Sequence, residues 1–500
     1  MSFLLIAGKA VSVGMDRYLS LRYWWYAFPS YFSEVTYGAP HYTYFTGLML
    51  RFGSQDPFGD REPLQRVLTD AAAGRLNASG PLRLFPGDEK GTVDFIRLAF
   101  AIFGVRLESA FYLYCSLLAI SVFAFVSAFR RDSAALLIGV VAMAALYVAV
   151  RTFPVTRELY SVTNPRAMGS LSIIALLHLS LSTLRGQRLT VGTVAGLTFQ
   201  AALIVLVLSM RTAETWQIVA LVAVTALVAM RRGLRPSGVS TFAPAGIVLA
   251  IVAVFAVYQT VAYPQEYFSR NLRGKMFWHN VLIGFAVHPG IAEWYQLRLD
   301  DASVATLIRR RAAHDSTVSL TELFERPGEN PNGFPVKNFR EYERLCRRTV
   351  FAIVAAHPWQ TLKLFVWHKP VLLVRSLAYS AGRETHDLDY YYLRDQAISL
   401  PAYRERNDLG AFFDPFSPIV LVLVLSGCLI VGVARLKDAF DANMCAAAGL
   451  FLCASLLPAF ITYPLIHVIA GTYWAAPFVL YAVTARGGAE LARLAQDRLA

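Results

Sequence analysis

Long apolar runs recur along this chain, and polar segments of very unequal length separate them. A helix needs about 20 apolar residues to cross a hydrocarbon core of roughly 30 Å. Runs of that kind fall at about 110–129, 133–152, 168–185, 190–209, 216–230, 242–263, 416–435, 442–462 and 466–485. A shorter run, Ser2 to Met15, carries Lys9 but shows neither a charged start nor a small-residue cleavage site, so it reads as a first span rather than a removed signal. The pattern predicts an all-α polytopic integral membrane protein of about ten transmembrane helices with two extracytoplasmic α-rich loop segments.

Lys and Arg give the loops their sides. Arg130, Arg131, Arg185, Arg188, Arg231, Arg232, Arg235, Arg435, Lys437, Arg486, Arg493 and Arg498 fall in alternate short loops or the tail, against Arg151, Arg157, Arg166 and Arg211 in the loops between. The positive-inside rule puts the first set in the cytoplasm. Both termini are then cytoplasmic. The expected organisation is a span at 1–15, an outer loop at 16–109, a six-span block at 110–263, a large outer segment at 264–415, three spans within 416–485 and a cytoplasmic tail at 486–500.

Composition agrees. With 56% hydrophobic and 16% charged residues, the chain lies outside the usual range of soluble domains. Its formal charge of +13 is spread along the sequence, and no basic stripe interleaved with aromatics suggests nucleic acid as a partner. Membrane lipids and lipid phosphates are the expected partners of such charge, although much of it is the inner-face orienting signal. Four of five cysteines lie in apolar spans and only Cys346 in an outer segment, so neither a disulfide framework nor a zinc site is indicated.

The first outer loop opens with aromatics from Tyr18 to Tyr31, including Trp24 and Trp25, a density suited to the headgroup layer. A second helical piece is expected near 40–52, and Thr92 to Ser109 is amphipathic. The second outer segment begins with hydrophobic Met276 to Tyr295, followed by a charged helix near 303–314 and a Pro/Gly/Asn loop around 326–335. One long helix is expected over about 338–379, polar at first and apolar after Thr349.

Candidate chemistry sits in these outer parts. Arg166 and Arg211 lie in short outer loops with Glu158 and Glu214 nearby, and a guanidinium fork suits a lipid-linked phosphate. The competing reading is snorkelling to headgroups or pairing with the adjacent glutamate. Asp16 and Glu34 are candidates for a general base, against solvated loop acids or helix caps. Arg273-Gly-Lys-Met-Phe-Trp-His279-Asn280 gathers cations, an indole and an imidazole, where His279 could bind phosphate or move a proton, or simply anchor the surface. His357-Pro358 and His368-Lys369-Pro370 are weaker candidates on a packed helix. No Walker loop, HExxH helix or GxSxG elbow occurs. The spans are almost free of Asp, Glu, Lys and Arg, which argues against a coupled transporter.

Three stretches carry a resemblance to the multi-span GT-C glycosyltransferases. Glu34-Val-Thr-Tyr37 looks like their acidic first-loop segment, Ala352 to Lys369 resembles a His-Pro then Lys helix of bacterial polyprenyl-phosphate-sugar transferases, and Gly471-Thr-Tyr-Trp-Ala-Ala-Pro477 resembles their Tyr…Pro pattern. The chain departs from that family in lacking a paired Asp-Glu directly after the first span, which leaves open which acid is the base. The resemblance implies transfer of a sugar from a polyprenyl phosphate to a glycan, lipid or protein acceptor at the outer face of a bacterial inner membrane. Glu34 or Asp16 would be the base, with Arg166, Arg211, Arg273 and Lys369 at the lipid phosphate and His279 assisting. No cofactor is implied, and dependence on a divalent metal stays open. His279-Asn280 and the Arg273-to-Gly284 spacing are similar to O-antigen ligases and polymerases, which use lipid diphosphates. A lipid or polysaccharide transporter is the non-enzymatic alternative.

Overall fold

The computed structural model describes residues 90–143, 165–185, 190–232, 243–262, 276–324, 336–372 and 442–462, with small gaps inside these ranges, and scattered positions between 66 and 75. The expected spans at 2–15, 416–435 and 466–485 lie outside the described residues, as does part of that at 133–152. Among the described residues the fold is helical throughout, with one isolated antiparallel bridge between Phe324 and Val336.

Two hydrophobic cores organise it. The first is built from α1 (Lys90–Phe103), α2 (Ser109–Phe129), α3 (Ile173–Arg185) entered through the 3-10 helix Pro165–Ser172, α4 (Val191–Met210), α5 (Trp216–Arg232) and α6 (Ala243–Ala262). Four stretches in this group, Ser109–Phe129, Met168–Arg185, Val191–Met210 and Ala213–Met230, are long and apolar enough to cross a membrane. Gly246–Ala262 and Ala446–Ile461 are shorter apolar stretches. These helices make the chain a membrane protein.

Burial distinguishes the spans from one another. Residues Met168–Arg185 are 94% buried, whereas the other three long stretches are 33–39% buried. Among the described helices α3 is therefore the most enclosed, with α2, α4 and α5 packed around it. It is also the least hydropathic of the four, at 1.3 against 1.7–2.2. A helix enclosed by protein can carry polar groups that lipid would not accept. Ser180 and Thr183 donate to the Leu176 and Leu179 carbonyls one turn back, at 2.6 and 2.8 Å. Gln200 of α4 donates through Nε2 to the Ser121 carbonyl and to Nδ1 of His178, and its Oε1 accepts from the Ser121 hydroxyl. Such bonds tie helices together where apolar side chains alone give no preference.

The hairpin from α1 to α2 needs Gly104, whose φ of +81° is a left-handed conformation that side chains avoid. Its carbonyl then accepts from the Ser109 hydroxyl at the start of α2.

The second core falls within the long segment 264–415: α7 (Phe277–Phe285), α8 (Pro289–Tyr295), α9 (Asp301–Ala313), α10 (Phe339–Ala356) and α11 (Pro358–Lys363), the last continuing into a π-helical turn at Leu364–His368. Caps set the starts: Asp300 accepts from the Ser303 amide and Asn338 from the Glu341 amide. The single helix expected over 338–379 is broken. Proline disfavours a helical conformation in the residue before it, so α10 stops at His357 and α11 restarts with Pro358 in its first turn.

A last helix, α12 (Ala442–Ile461), joins the two cores. Ala447, Ala448, Phe451 and Ala454 belong to the first, and Ile461 packs against the second.

Candidate functional site

One polar network lies at the end of the bundle where Arg211 sits. The Arg211 guanidinium is 3.8 Å from the carboxylate of Glu214, which is almost fully buried. Glu214 also accepts from the Trp216 indole at 2.7 Å and the Gln217 amide at 3.1 Å. Gln217 in turn accepts from Ser172 at 2.9 Å, and Ser170 is hydrogen-bonded to the Tyr114 phenol at 2.6 Å. Ser170 and Ser172 end the 3-10 helix whose second residue is Arg166, so the turns carrying Arg166 and Arg211 are fastened to each other. The Arg166 side chain itself is not among those described. At the opposite end, Arg185 pairs with Asp132 at 3.2 Å. Loops assigned to one side by their charge therefore meet at one end of the bundle.

The fastening explains how an arginine can be held at a membrane surface. A guanidinium facing lipid alone would be free to swing, whereas the buried Glu214 carboxylate gives that of Arg211 a fixed charge partner.

His279 lies on α7 and is 0% exposed. Its Nε2 is hydrogen-bonded to the Asp301 carboxylate at 2.9 Å, and its Nδ1 to the Tyr342 phenol at 2.8 Å. Both ring nitrogens are thereby engaged, one by a buried phenol of the second core and one by a carboxylate at its surface. The neighbouring Glu343 of α10 accepts from the backbone amides of Trp278 and His279 at 2.8 and 3.0 Å. The start of α7 has no capping side chain of its own, so this distant carboxylate serves instead. Burial raises the Glu343 pKa, and the amide hydrogen bonds oppose that rise.

Lys369 is also buried. Its Nζ donates to the carbonyls of Phe460 and Ile461 at 3.0 and 2.9 Å and lies 4.4 Å from the centre of the Phe365 ring. Those carbonyls end α12, so the Lys369 side chain caps the end of an apolar helix. The π-helical turn sets this up: the Lys369 amide bonds back to the Leu364 carbonyl, and the wider turn shifts the register of the residues after it.

A third grouping was not expected from the sequence. The rings of His288 and His368 stand 4.6 Å apart at 64°, and His357 stacks on Trp294 at 4.5 Å. His288 caps α8, accepting at Nδ1 from the Ile291 amide at 3.4 Å. The pattern His288-Pro289-Gly290, a polar cap before a proline, was the available signal for that helix start. Asp16, Glu34 and Arg273 lie outside the described residues.

Compared with family models, with curated proteins and with solved structures, the chain matches none.

Proposed function

We propose that this protein is a membrane glycosyltransferase of the GT-C kind, moving a sugar from a polyprenyl phosphate to a glycan, lipid or protein acceptor at the outer face of a bacterial inner membrane. The observation that carries the reading is the Arg211–Glu214 pair, fastened through Gln217 and Ser172 to the turn that bears Arg166. Two arginine-bearing turns held together at one end of an apolar bundle suit a phosphate whose hydrocarbon tail lies among helices. In this reading the charge pattern gives ten spans and places that end outside, with both termini in the cytoplasm.

The reaction needs a base for the acceptor and a sink for charge on the departing lipid phosphate. Glu34 or Asp16 removes the acceptor proton as its oxygen or nitrogen attacks the anomeric carbon. The bond to the phosphate oxygen breaks, and Arg166, Arg211 and Arg273 stabilise the anion released. Lys369 and His279 hold the outer segment in place, consistent with their engaged donors and acceptors. That role also favours a monophosphate donor over the ligase reading, which needs His279 at the substrate.

Sugar transfer by the full chain in lipid, with polyprenyl-monophosphate and polyprenyl-diphosphate donors in parallel, tests this. Turnover of the monophosphate, abolished by Glu34→Gln or Asp16→Asn and lowered by about a hundredfold in Arg211→Met, is the expected result. Turnover of the diphosphate alone, lost in His279→Ala, moves the protein to the ligase class. A folded sample that uses neither donor overturns the enzyme reading.

A further inference from the structure

The π-helical turn Leu364–His368 sends two consecutive residues to different tasks. Lys369 goes inward to the end of α12, while His368 meets His288 from α8. Lys363, immediately before the widened turn, lies close enough to both imidazoles to act on them electrostatically. Among the described residues no carboxylate pairs with any of these three groups. Two imidazoles from two elements thus meet, with the Lys363 charge acting on both and, among the described residues, no acid between them.

Their surroundings identify the ligand's other half. Trp359 is 60% exposed, and Val366 and Trp367 are each 66% exposed, with Leu362 between them. The spacing 359, 362, 366 places these side chains on one stripe of α11 and the π-helical turn after it. The Lys363 Nζ sits 5.6 Å from the centre of the Trp359 ring, at the margin of this stripe. Exposed tryptophans edged by cations suit the boundary between headgroups and acyl chains. The link from Lys369 to Phe460 and Ile461 puts the stripe next to the end of an apolar helix.

We propose that His288, His368 and Lys363 form a binding site for the phosphate of a lipid headgroup, with Trp359, Val366 and Trp367 seated in the apolar layer beside it. A divalent cation fits less well, because Lys363 repels it and the described residues offer no third ligand of the usual kind. The site does not depend on the transferase reading, since any anionic phospholipid presents the same group. It differs from the Arg166 and Arg211 turns in both sequence and core.

The electrostatics of the pair are those of an anion site. Burial first, then His368 and Lys363, lower the pKa of His288, and burial and Lys363 lower that of His368. A phosphate would relieve this repulsion and draw protons onto the rings. Binding should therefore tighten as pH falls from about 7.5 to about 5.5. Among the described residues, the groups that act on the pair are each other, Lys363 and the Ile291 amide.

The test uses the full chain in detergent and reads tryptophan fluorescence during titration with dihexanoyl-phosphatidylglycerol, whose phosphodiester keeps its charge across that pH range. Inorganic phosphate and an uncharged short-chain diacylglycerol are the parallel probes. The expected result is lipid binding weakened about tenfold or more in His288→Gln/His368→Gln. His368→Arg should retain binding at about pH 7.5 and lose much of the pH dependence. Wild-type affinity in the double variant, or equal affinity for the diacylglycerol, overturns the phosphate site. Inorganic phosphate bound as tightly as the lipid overturns the lipid assignment. A double variant that melts early is judged on His368→Arg alone, where lost binding counts against the proposal.

Discussion

Gly284 lies against the carbonyl of Thr462 so closely that a methyl on its Cα would overlap the Thr462 oxygen and come 2.8 Å from the Lys369 Nζ. The contact joins α7 of the second core to the end of α12. An oxygen of the backbone cannot swing aside as a side chain can, so relief requires moving one element away from the other. Gly284→Ala is expected to destabilise the protein by about 1–3 kcal/mol. Thermal unfolding in detergent reads this, with Gly449→Ala as the control, because nothing lies within 4 Å of a Cβ there. Equal melting of both variants would refute the close approach.

The same junction carries a pH dependence. Burial pushes the Lys369 pKa down to about 7, against about 10.4 for a free lysine. Between those values the unfolded chain holds a proton that the folded chain does not, so stability rises with pH across that window. Loss of the proton leaves two N–H groups, enough for the Phe460 and Ile461 carbonyls. Lys369→Met removes both bonds and is expected to cost about 1–3 kcal/mol. It also removes the titration. The melting gap between wild type and variant should therefore be wider near pH 9 than near pH 7. A gap that stays constant or narrows would rule out the lowered lysine.

Much of the bundle was legible in the sequence because lipid imposes length and apolarity on each span: the stretches at 110–129, 168–185, 190–209 and 216–230 reappear within a residue or a few. Hydropathy could not tell which span is central. It ranks Val191–Met210 highest, while the enclosed Met168–Arg185 ranks lowest. Packing among protein groups, rather than transfer to lipid, decides that position.

The second core was less legible, because its chemistry depends on partners distant in sequence. The string around His279 looked reactive, but its meaning rests on Asp301 and Tyr342, which lie 22 and 63 residues away. Glu343 gives no local sign of capping a helix that starts 66 positions earlier, at Phe277. Helical periodicity through 338–379 also hid two interruptions. The one at His357 follows from Pro358, whereas the π-helical turn has no comparable marker and alone determines that His368 and Lys369 diverge.

The knot of Ser121, Gln200 and His178 makes a prediction about cooperativity in the bundle. Gln200 exchanges two bonds with Ser121 and one with His178, all within the buried interior. Gln200→Leu leaves the Ser121 hydroxyl and the His178 Nδ1 without these partners, at an expected cost of about 1–2 kcal/mol. The His178 ring already packs edge-on against Phe125 and Phe129, at 5.9 and 5.4 Å between centres. Phenylalanine at 178 would keep that aromatic packing without a nitrogen to satisfy. His178→Phe added to Gln200→Leu should therefore cost less than the sum of the two single changes, because the second substitution removes a group that the first has orphaned. A double-mutant cycle in thermal unfolding measures the difference. Strict additivity would mean that the amide and imidazole do not depend on one another, and that α3 and α4 are held by apolar packing alone.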